Sequence, residues 1–187
     1  MNQFSRANEA LERLAVALDC PIAIVGELAA IHHRASVTTT DIDIVVPRDK
    51  LQVLVGAAPQ HGLKVVRESP RGWHRLEFVD AEGPVRIEVV PAGEKSPRDP
   101  EHAPPNPSPQ ELGVASGVGY ASFAGWVAMK LVANRDKDRY HLIEALTQAA
   151  PEQIAEAVVQ LRSMHPSYLA EFHRLVRAAE DESQENW

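Results

Sequence analysis

The chain has 187 residues, of which 44% are hydrophobic and 24% charged, and its formal net charge is −7. This length and composition suit one domain with a buried core and exclude a globally disordered chain. The negative charge argues against indiscriminate nucleic-acid binding, because such proteins neutralise many phosphates with Lys and Arg.

The sequence favours a reducing compartment. Its single cysteine, Cys20, cannot form an intramolecular disulfide or a zinc cluster by itself. Residues 1–18 mix charged and apolar side chains, and no stretch approaches the roughly 20 apolar residues of a membrane span. We therefore expect a cytoplasmic protein with no membrane partner.

Helical and strand patterns alternate in the first part of the chain. Apolar residues at helical spacing predict the opening helix, and the β-branched run that ends at Pro47 predicts a strand. Gly26 closes a short apolar run, which indicates a strand, a tight turn and a helix. The predicted helices cover residues 8–18, 27–33 and 49–58, and the predicted strands cover 22–25, 41–46 and 63–68.

A hairpin and a proline-rich segment follow. Residues 73–79 and 84–90 flank a turn-like sequence and predict two paired strands, so we expect a mixed sheet. Residues 93–110 contain six prolines, a density that excludes helix and most strand pairing. We expect this segment to be a long connector that can serve as an active-site flap.

The remainder of the chain is predicted to be helical, with Pro151 and Pro166 placed where helices begin. The predicted helices cover residues 122–148, 152–164 and 167–179. The simplest architecture is an α+β fold. Its parts are a core over residues 1–110 that includes the connector, a helical segment over 111–180 that completes the site, and an acidic tail over 181–187.

Asp41 and Asp43 give the clearest chemical signal. Residues two apart in a strand point to the same face, so these carboxylates are adjacent, while Ile42 and Ile44 point to the other face. A divalent cation relieves their repulsion, and oxygen ligands suit Mg²⁺ or Mn²⁺. The turn at Gly26 supplies backbone N–H groups that favour a phosphate. Together these features indicate phosphoryl or nucleotidyl transfer, with a solvated strand face as the structural alternative.

These residues resemble the motifs of the polymerase-beta-like nucleotidyltransferase superfamily, in which an apolar strand, a glycine turn and a short helix precede Asp-x-Asp on the next strand. Residues 25–33, 38–46 and 130–138 are most similar to small bacterial nucleotidyltransferases of the abortive-infection toxin type. The resemblance spans residues 22–146. It implies a mixed β-sheet nucleotidyltransferase core with a C-terminal helical segment.

The resemblance also implies the residues of the site. A later strand of the family carries an acidic residue followed by two apolar residues and Pro, which nominates Glu88 as the third carboxylate, with Glu77 as its competitor. The implied catalytic and metal-binding residues are Asp41, Asp43 and Glu88, which would hold two Mg²⁺ or Mn²⁺ ions. The implied nucleotide-binding residues are Gly26, Glu27, Thr39, Thr40 and Lys130.

Two positions depart from the family pattern. Glu27 stands where the superfamily usually has Gly or Ser, and Val37 stands where these relatives often carry Arg, a role that Arg34 could take over. A carboxylate at the phosphate turn repels a triphosphate unless it points away, pairs with a cation or joins the metal shell. An altered nucleotide donor and a lost activity both remain open.

Two clusters of polar residues have a structural and a functional interpretation. Lys130, Asn134, Lys137 and His141 are spaced by four, three and four residues, which predicts one polar stripe on a helix. The stripe is either a solvated face or part of the site, and His32 and His33 are expected to pack rather than bind metal. The second cluster, a solvated face or a nucleic-acid contact, comprises Arg67, Arg71, His74 and Arg75 around Trp73.

The function that the resemblance implies is metal-dependent transfer of a nucleoside monophosphate from an NTP to an acceptor. The favoured acceptor is RNA, such as tRNA, or a protein, with an antitoxin as a partner that controls the activity. One alternative is an inactive binding module with the same fold, and another is a nucleotidyltransferase that acts on a small molecule such as an antibiotic.

Overall fold

The computed structural model describes residues 3–68, 73–95, 101 and 103–185. Arg71 of the predicted basic cluster and residues 96–100 of the predicted connector lie outside this part. Among the described residues, none of the helices is long and apolar enough to cross a membrane.

The chain folds into a six-stranded sheet with helices on both faces. The helices are α1 (Gln3–Leu18), α2 (Gly26–His32), α3 (Leu51–Ala57), α4 (Phe123–Ala133), α5 (Asp136–Gln148), α6 (Pro151–Met164) and α7 (Ser167–Glu185). The strands are β1 (Ile22–Val25), β2 (Asp41–Val46), β3 (Leu63–Arg67), β4 (His74–Asp80), β5 (Gly83–Pro91) and β6 (Val118–Tyr120). Short 3₁₀ turns, Arg48–Lys50 and Ala58–His61, flank α3. The predicted α+β class, with a C-terminal helical segment, is confirmed.

The sheet is mixed, as predicted, with the order β3-β4-β5-β2-β1-β6. Strand β2 runs antiparallel to β1 and parallel to β5, and β6 joins the edge parallel to β1. Strands β4 and β5 form the predicted hairpin. Strand β2, which carries Asp41 and Asp43, lies between β1, which leads into the turn at Gly26, and β5, which carries Glu88.

The two faces of the sheet pack against different helices. Ile42 and Ile44 belong to the buried cluster that includes residues of α1 and α3. Val45 belongs to the other cluster, which includes residues of α2 and of α4 to α7. Successive side chains in a strand alternate between faces, so Asp41 and Asp43 lie on the same face as Val45. The two carboxylates therefore point toward the side covered by the C-terminal helices.

The predicted helix over residues 122–148 is wrong, because the chain bends between Ala133 and Asp136. Asn134 adopts a left-handed conformation with φ 47° and its N–H donates to the carbonyl of Lys130 at 2.9 Å, which closes α4. Asn tolerates this conformation better than most residues and commonly ends helices in this way. The predicted polar stripe from Lys130 to His141 is therefore not one helix face.

Other boundaries differ from the predictions for local reasons. Strand β6 was not predicted, since it has only three residues, the middle one is Gly119, and it lacks a β-branched run. Residues 181–185 of the predicted acidic tail continue α7.

The described residues of the connector contain neither helix nor strand, as predicted. They are nevertheless tied to the sheet. Asn106 is buried, its Nδ2 donates to the carbonyl of Pro91 at 3.2 Å, and its backbone exchanges hydrogen bonds with Gly93 and Glu94. This part of the connector is therefore fixed beside the end of β5.

Candidate active site

The three predicted carboxylates lie together on neighbouring strands. Asp43 of β2 is directly opposite Glu88 of β5, and Asp41 is opposite Arg86. The competing carboxylate, Glu77, lies one strand farther away on β4, opposite Arg86. The register therefore places Glu88, rather than Glu77, beside Asp43.

Asp43 is in an environment that disfavours its charged form. Burial raises the pKa of this carboxyl to about 7, and the neighbouring carboxylates of Asp41, Glu27 and Glu88 act in the same direction. The positive charge of the Arg135 guanidinium opposes this effect. Negative charge is thus concentrated around Asp43 beyond what the surrounding side chains balance.

The donor set fits a hard divalent cation. Carboxylate oxygens are the ligands that Mg²⁺ and Mn²⁺ prefer, and a cation would relieve the charge that raises the pKa of Asp43. Glu88 is partly committed already, because its Oε1 accepts a hydrogen bond from Nε of Arg75 at 2.6 Å. Asp41 and Asp43 therefore form the less compensated part of the set.

Gly26 is explained by its contact with Asp43. It has φ +65°, and a Cβ at this position would lie 2.0 Å from Oδ2 and 2.9 Å from Cγ of Asp43. Nε1 of Trp126, on α4, donates to the carbonyl of Gly26 at 3.2 Å. The glycine thus lets the turn between β1 and α2 approach the carboxylate, and the tryptophan holds the turn from the other side.

The two predicted threonines have different surroundings. The hydroxyl of Thr39 lies 3.0 Å from Oδ1 and 2.9 Å from the carbonyl oxygen of Asp41, so it is placed to orient this carboxylate. Thr40 is exposed directly before β2.

Glu27 is held by two lysines. Its Oε1 accepts a hydrogen bond from Nζ of Lys137 at 3.0 Å and lies 3.5 Å from Nζ of Lys130. Burial alone would raise the pKa of Glu27, but the lysine charges outweigh it and the pKa is lowered. Arg34, the cation considered from the sequence, is exposed and has φ +68°.

Lys130 is buried, with only 3% of its side chain exposed, and lies at the centre of a charged cluster. Its Nζ is 3.0 Å from Oδ1 of Asp138 and 3.3 Å from Nδ1 of His141. Single oxygen or nitrogen atoms of Glu27, Asp138 and His141 all lie within 4.8 Å of one another, a spacing that suits a metal ion. The ammonium of Lys130 contacts all three groups, so the cation among them is a lysine.

Asp138 and Arg135 are site residues that the sequence analysis did not predict, and Asp138 is the more deeply buried of the two. It is fully buried and accepts hydrogen bonds from Nε and Nη2 of Arg135 at 2.5 and 2.9 Å as well as from Lys130. Burial opposes its ionisation, yet Arg135 and Lys130 lower its pKa overall. In the sequence, residues 135–138 lie in the middle of the single helix predicted over 122–148, and it is the break after α4 that starts a new helix in which Asp138 is buried.

A cavity of about 260 Å³ opens beside these groups. Asp43, Lys130 and Arg135 form its charged part, and Asn106 of the connector and Gly26 also line it. The remaining lining is apolar or aromatic and comprises Val25, Trp73, Val90, Met129, Val132 and Ala133. The cavity can therefore accommodate a molecule with both an anionic and an apolar part.

In the described part of the predicted basic cluster, His74 is separated from Arg75. His74 is buried and pairs with Val89 on the face that packs against α1 and α3, whereas Arg75 lies on the opposite face and binds Glu88. The histidines of α2 pack as expected. His32 stacks on Tyr120 at 4.5 Å, and Nε2 of His33 lies 2.9 Å from the carbonyl oxygen of Ala121.

Several solved structures are similar to this chain. A solution structure of the antibiotic-resistance factor ANT(2'')-Ia matches with a TM-score of 0.48 and 15% identity, over 100% of this chain and 98% of that chain. Its crystal structure in complex with adenylyl-2''-tobramycin matches with a TM-score of 0.49 and 16% identity, over 96% and 99%. JHP933 from Helicobacter pylori matches with a TM-score of 0.49 and 13% identity, over 100% and 96%.

A putative nucleotidyltransferase from H. pylori matches with a TM-score of 0.47 and 14% identity, over 100% of this chain and 99% of that chain. No protein-family model matches the chain, and no curated protein matches it in sequence.

Proposed function

We propose that this protein is a metal-dependent nucleotidyltransferase that moves a nucleoside monophosphate from an NTP to an acceptor. The observation that carries the proposal is the position of Asp43, which is opposite Glu88, two residues from Asp41 on the same strand face, and in contact with the turn at Gly26. Burial, and with it the neighbouring carboxylates of Asp41, Glu27 and Glu88, raises the pKa of this carboxyl, which is the kind of perturbation found at functional sites.

In this proposal, each part of the site has a defined task. Asp41, Asp43 and Glu88 hold the metal, and Thr39 orients Asp41 through its hydroxyl. Two Mg²⁺ or Mn²⁺ ions, when bound, would activate an acceptor hydroxyl and stabilise the leaving pyrophosphate. Gly26 keeps the backbone of the turn close to Asp43, and the adjoining cavity receives the nucleotide.

The proposed acceptor is RNA, such as tRNA, or a protein, and the proposed setting is a cytoplasmic toxin that an antitoxin controls. The resemblance of residues 25–33, 38–46 and 130–138 to nucleotidyltransferases of the abortive-infection type supports this choice. An antibiotic or another small molecule is the enzymatic alternative.

A binding module without transferase activity is the second candidate, and the charge arrangement around Glu27 favours it. In the second candidate, the carboxylate of Glu27 permanently offsets part of the positive charge of Lys130 and Lys137, which leaves less positive charge for a triphosphate. A transferase would have to bind the triphosphate with the bound metal ions and with Arg135, the cation that lines the cavity along with Lys130.

The test is incubation of the protein with each α-labelled NTP, Mg²⁺ or Mn²⁺, and total RNA, total protein or a panel of aminoglycosides. We expect label in one acceptor fraction with the wild type and with Asp49→Asn, which removes an exposed carboxylate outside the cluster, but not with Asp41→Asn. Nucleotide binding without label in any fraction would favour the binding module.

A further inference from the structure

The buried ammonium of Lys130 has a full set of partners. An ammonium carries three N–H donors, and this one has acceptors at 3.0 Å on Asp138, 3.3 Å on His141 and 3.5 Å on Glu27. A phosphate oxygen could bind Lys130 only by replacing one of these contacts. The Lys130 ammonium is therefore better suited to holding its neighbouring side chains in place than to binding a ligand.

Arg135 is arranged differently. Its Nε and Nη2 bind the two carboxylate oxygens of Asp138, which fixes the plane of the guanidinium. A guanidinium has five N–H donors, and the hydrogen bonds found for this side chain in the described part of the chain use Nε and Nη2 only. The side chain is 35% exposed and lines the cavity together with Asp43 and Gly26.

Among the cations of the cluster, Arg135 is the one that borders the cavity with donors to spare. Lys130 contacts the carboxylates of both Glu27 and Asp138, and Lys137 is bound to Glu27 and is largely exposed. The guanidinium of Arg135 lies in the field of the Asp43 carboxylate and is also bound to Asp138, so a metal ion on Asp43 would leave its charge available to an anion. A guanidinium is also the cation whose geometry matches two phosphate oxygens.

We propose that Arg135 is the residue that binds the phosphate groups of the nucleotide, and that Asp138 and Lys130 are positioning residues that hold its guanidinium toward the cavity. This inference rests on the proposed function. It moves the phosphate contact from Lys130, to which the family resemblance assigned it, to a side chain with open donors.

The experiment measures binding of inorganic tripolyphosphate and of each NTP, with Mg²⁺, by calorimetric titration, and pyrophosphate release as a function of NTP concentration. Arg135→Gln is expected to weaken binding of both probes at least tenfold and to raise KM. Arg135→Lys keeps the positive charge but not the planar guanidinium. Its affinity for both probes is expected to lie between those of the wild type and Arg135→Gln. Arg162→Gln, which removes an exposed arginine of α6, is the control and is expected to bind like the wild type.

The positioning role of Asp138 has a separate readout. If Asp138 acts through Arg135, Asp138→Asn weakens tripolyphosphate binding in the wild type but has no further effect in the Arg135→Gln background, since the coupled residues form one unit. Equal effects in both backgrounds would overturn the positioning role. Thermal melting verifies that each variant is folded, and if Asp138→Asn is not, the comparison of Arg135→Gln with Arg135→Lys decides.

The outcomes separate this inference from the proposed function. A wild type that releases pyrophosphate, together with an Arg135→Gln variant of unchanged KM and tripolyphosphate affinity, overturns the inference and leaves the function standing. Tripolyphosphate binding that depends on Arg135, without pyrophosphate release, supports the inference and contradicts the transferase. A wild type that binds neither probe overturns both.

Discussion

The carboxylate of Asp43 occupies the space that a side chain at position 26 would need, since a Cβ on Gly26 would lie 2.0 Å from Oδ2 of Asp43. The contact joins the turn between β1 and α2 to the strand that carries both aspartates. The glycine of the motif is therefore required by packing as well as by its backbone conformation.

Replacement of Gly26 by alanine is expected to lower the free energy of unfolding by about 2–4 kcal/mol, from the positive φ and from overpacking, and to displace Asp43. Urea unfolding measures the effect. Gly56→Ala is the matched control, because Gly56 lies in α3 and its Cβ would meet no atom within 4 Å. The control is expected to gain about 0.5 kcal/mol from helix propensity. Equal stability of the two variants would contradict the packing role of Gly26.

Asp43→Asn is expected to stabilise the metal-free protein at neutral pH while abolishing transfer. The pKa of this carboxyl rises from its usual 3.8 to about 7 on folding. The folded state then binds more protons than the unfolded state, so stability falls as pH rises between these values. A rise of the pKa from 3.8 to about 7 corresponds to about 4 kcal/mol. We expect a gain of about 1–3 kcal/mol, because the carboxyl keeps some contact with solvent and the amide is also desolvated.

Urea unfolding in the presence of a chelator between pH 4 and pH 8 tests this expectation. The stability difference between Asp43→Asn and the wild type should be largest at pH 8 and vanish toward pH 4. Asp49 is exposed, so the stability difference between Asp49→Asn and the wild type should not change in this way with pH. A difference that is independent of pH would mean that the Asp43 carboxyl is not destabilised by its surroundings.

Lys130→Met is expected to destabilise the fold by about 2–4 kcal/mol, because it removes one cation from the fully buried Asp138 and leaves Arg135 to balance the charge. Lys137→Met is the matched control. Its ammonium is 53% exposed and binds Glu27, so its loss is expected to cost about 0.5–1 kcal/mol. Chemical unfolding of both variants measures the difference. Comparable losses of unfolding free energy would mean that Lys130 contributes no more to stability than an exposed lysine.

Glu27→Ser tests whether the charge at the phosphate turn disables the site. Lys137 and Lys130 already balance Glu27, so we expect pyrophosphate release to change by no more than a few-fold. NTP titration and pyrophosphate release in parallel provide the measurement. A wild type that binds no nucleotide with either metal, combined with a Glu27→Ser variant that gains binding, would favour the inactive binding module.

The sequence indicates the central strands and their chemistry because these features are local. The alternation of Asp41 and Asp43 with Ile42 and Ile44 fixes both the strand and the face that each side chain occupies. Glu88 could be preferred to Glu77 only through the family resemblance, since register between β2 and β5 depends on residues far apart in the chain.

The parts that the sequence does not indicate depend on single backbone positions and on tertiary contacts. One left-handed residue, Asn134, separates α4 from α5 and turns Asp138 into the interior. The pairing of Glu27 with Lys137 joins residues 110 positions apart. Neither helix periodicity nor charge spacing contains this information, which is why Asp138 and Arg135 were not predicted as site residues.

Metal-dependent nucleotidyl transfer is tested most directly by measuring pyrophosphate release from NTPs with Mg²⁺ or Mn²⁺, in the presence of the RNA, protein or aminoglycoside fraction that becomes labelled. The wild type, Asp41→Asn and Asp49→Asn are compared. Asp41 lies in the proposed metal site, whereas Asp49 is exposed in the turn before α3. The account predicts metal-dependent release by the wild type and Asp49→Asn, and a loss of at least a hundredfold in Asp41→Asn. Equal release by all three proteins, with all of them folded, would contradict it.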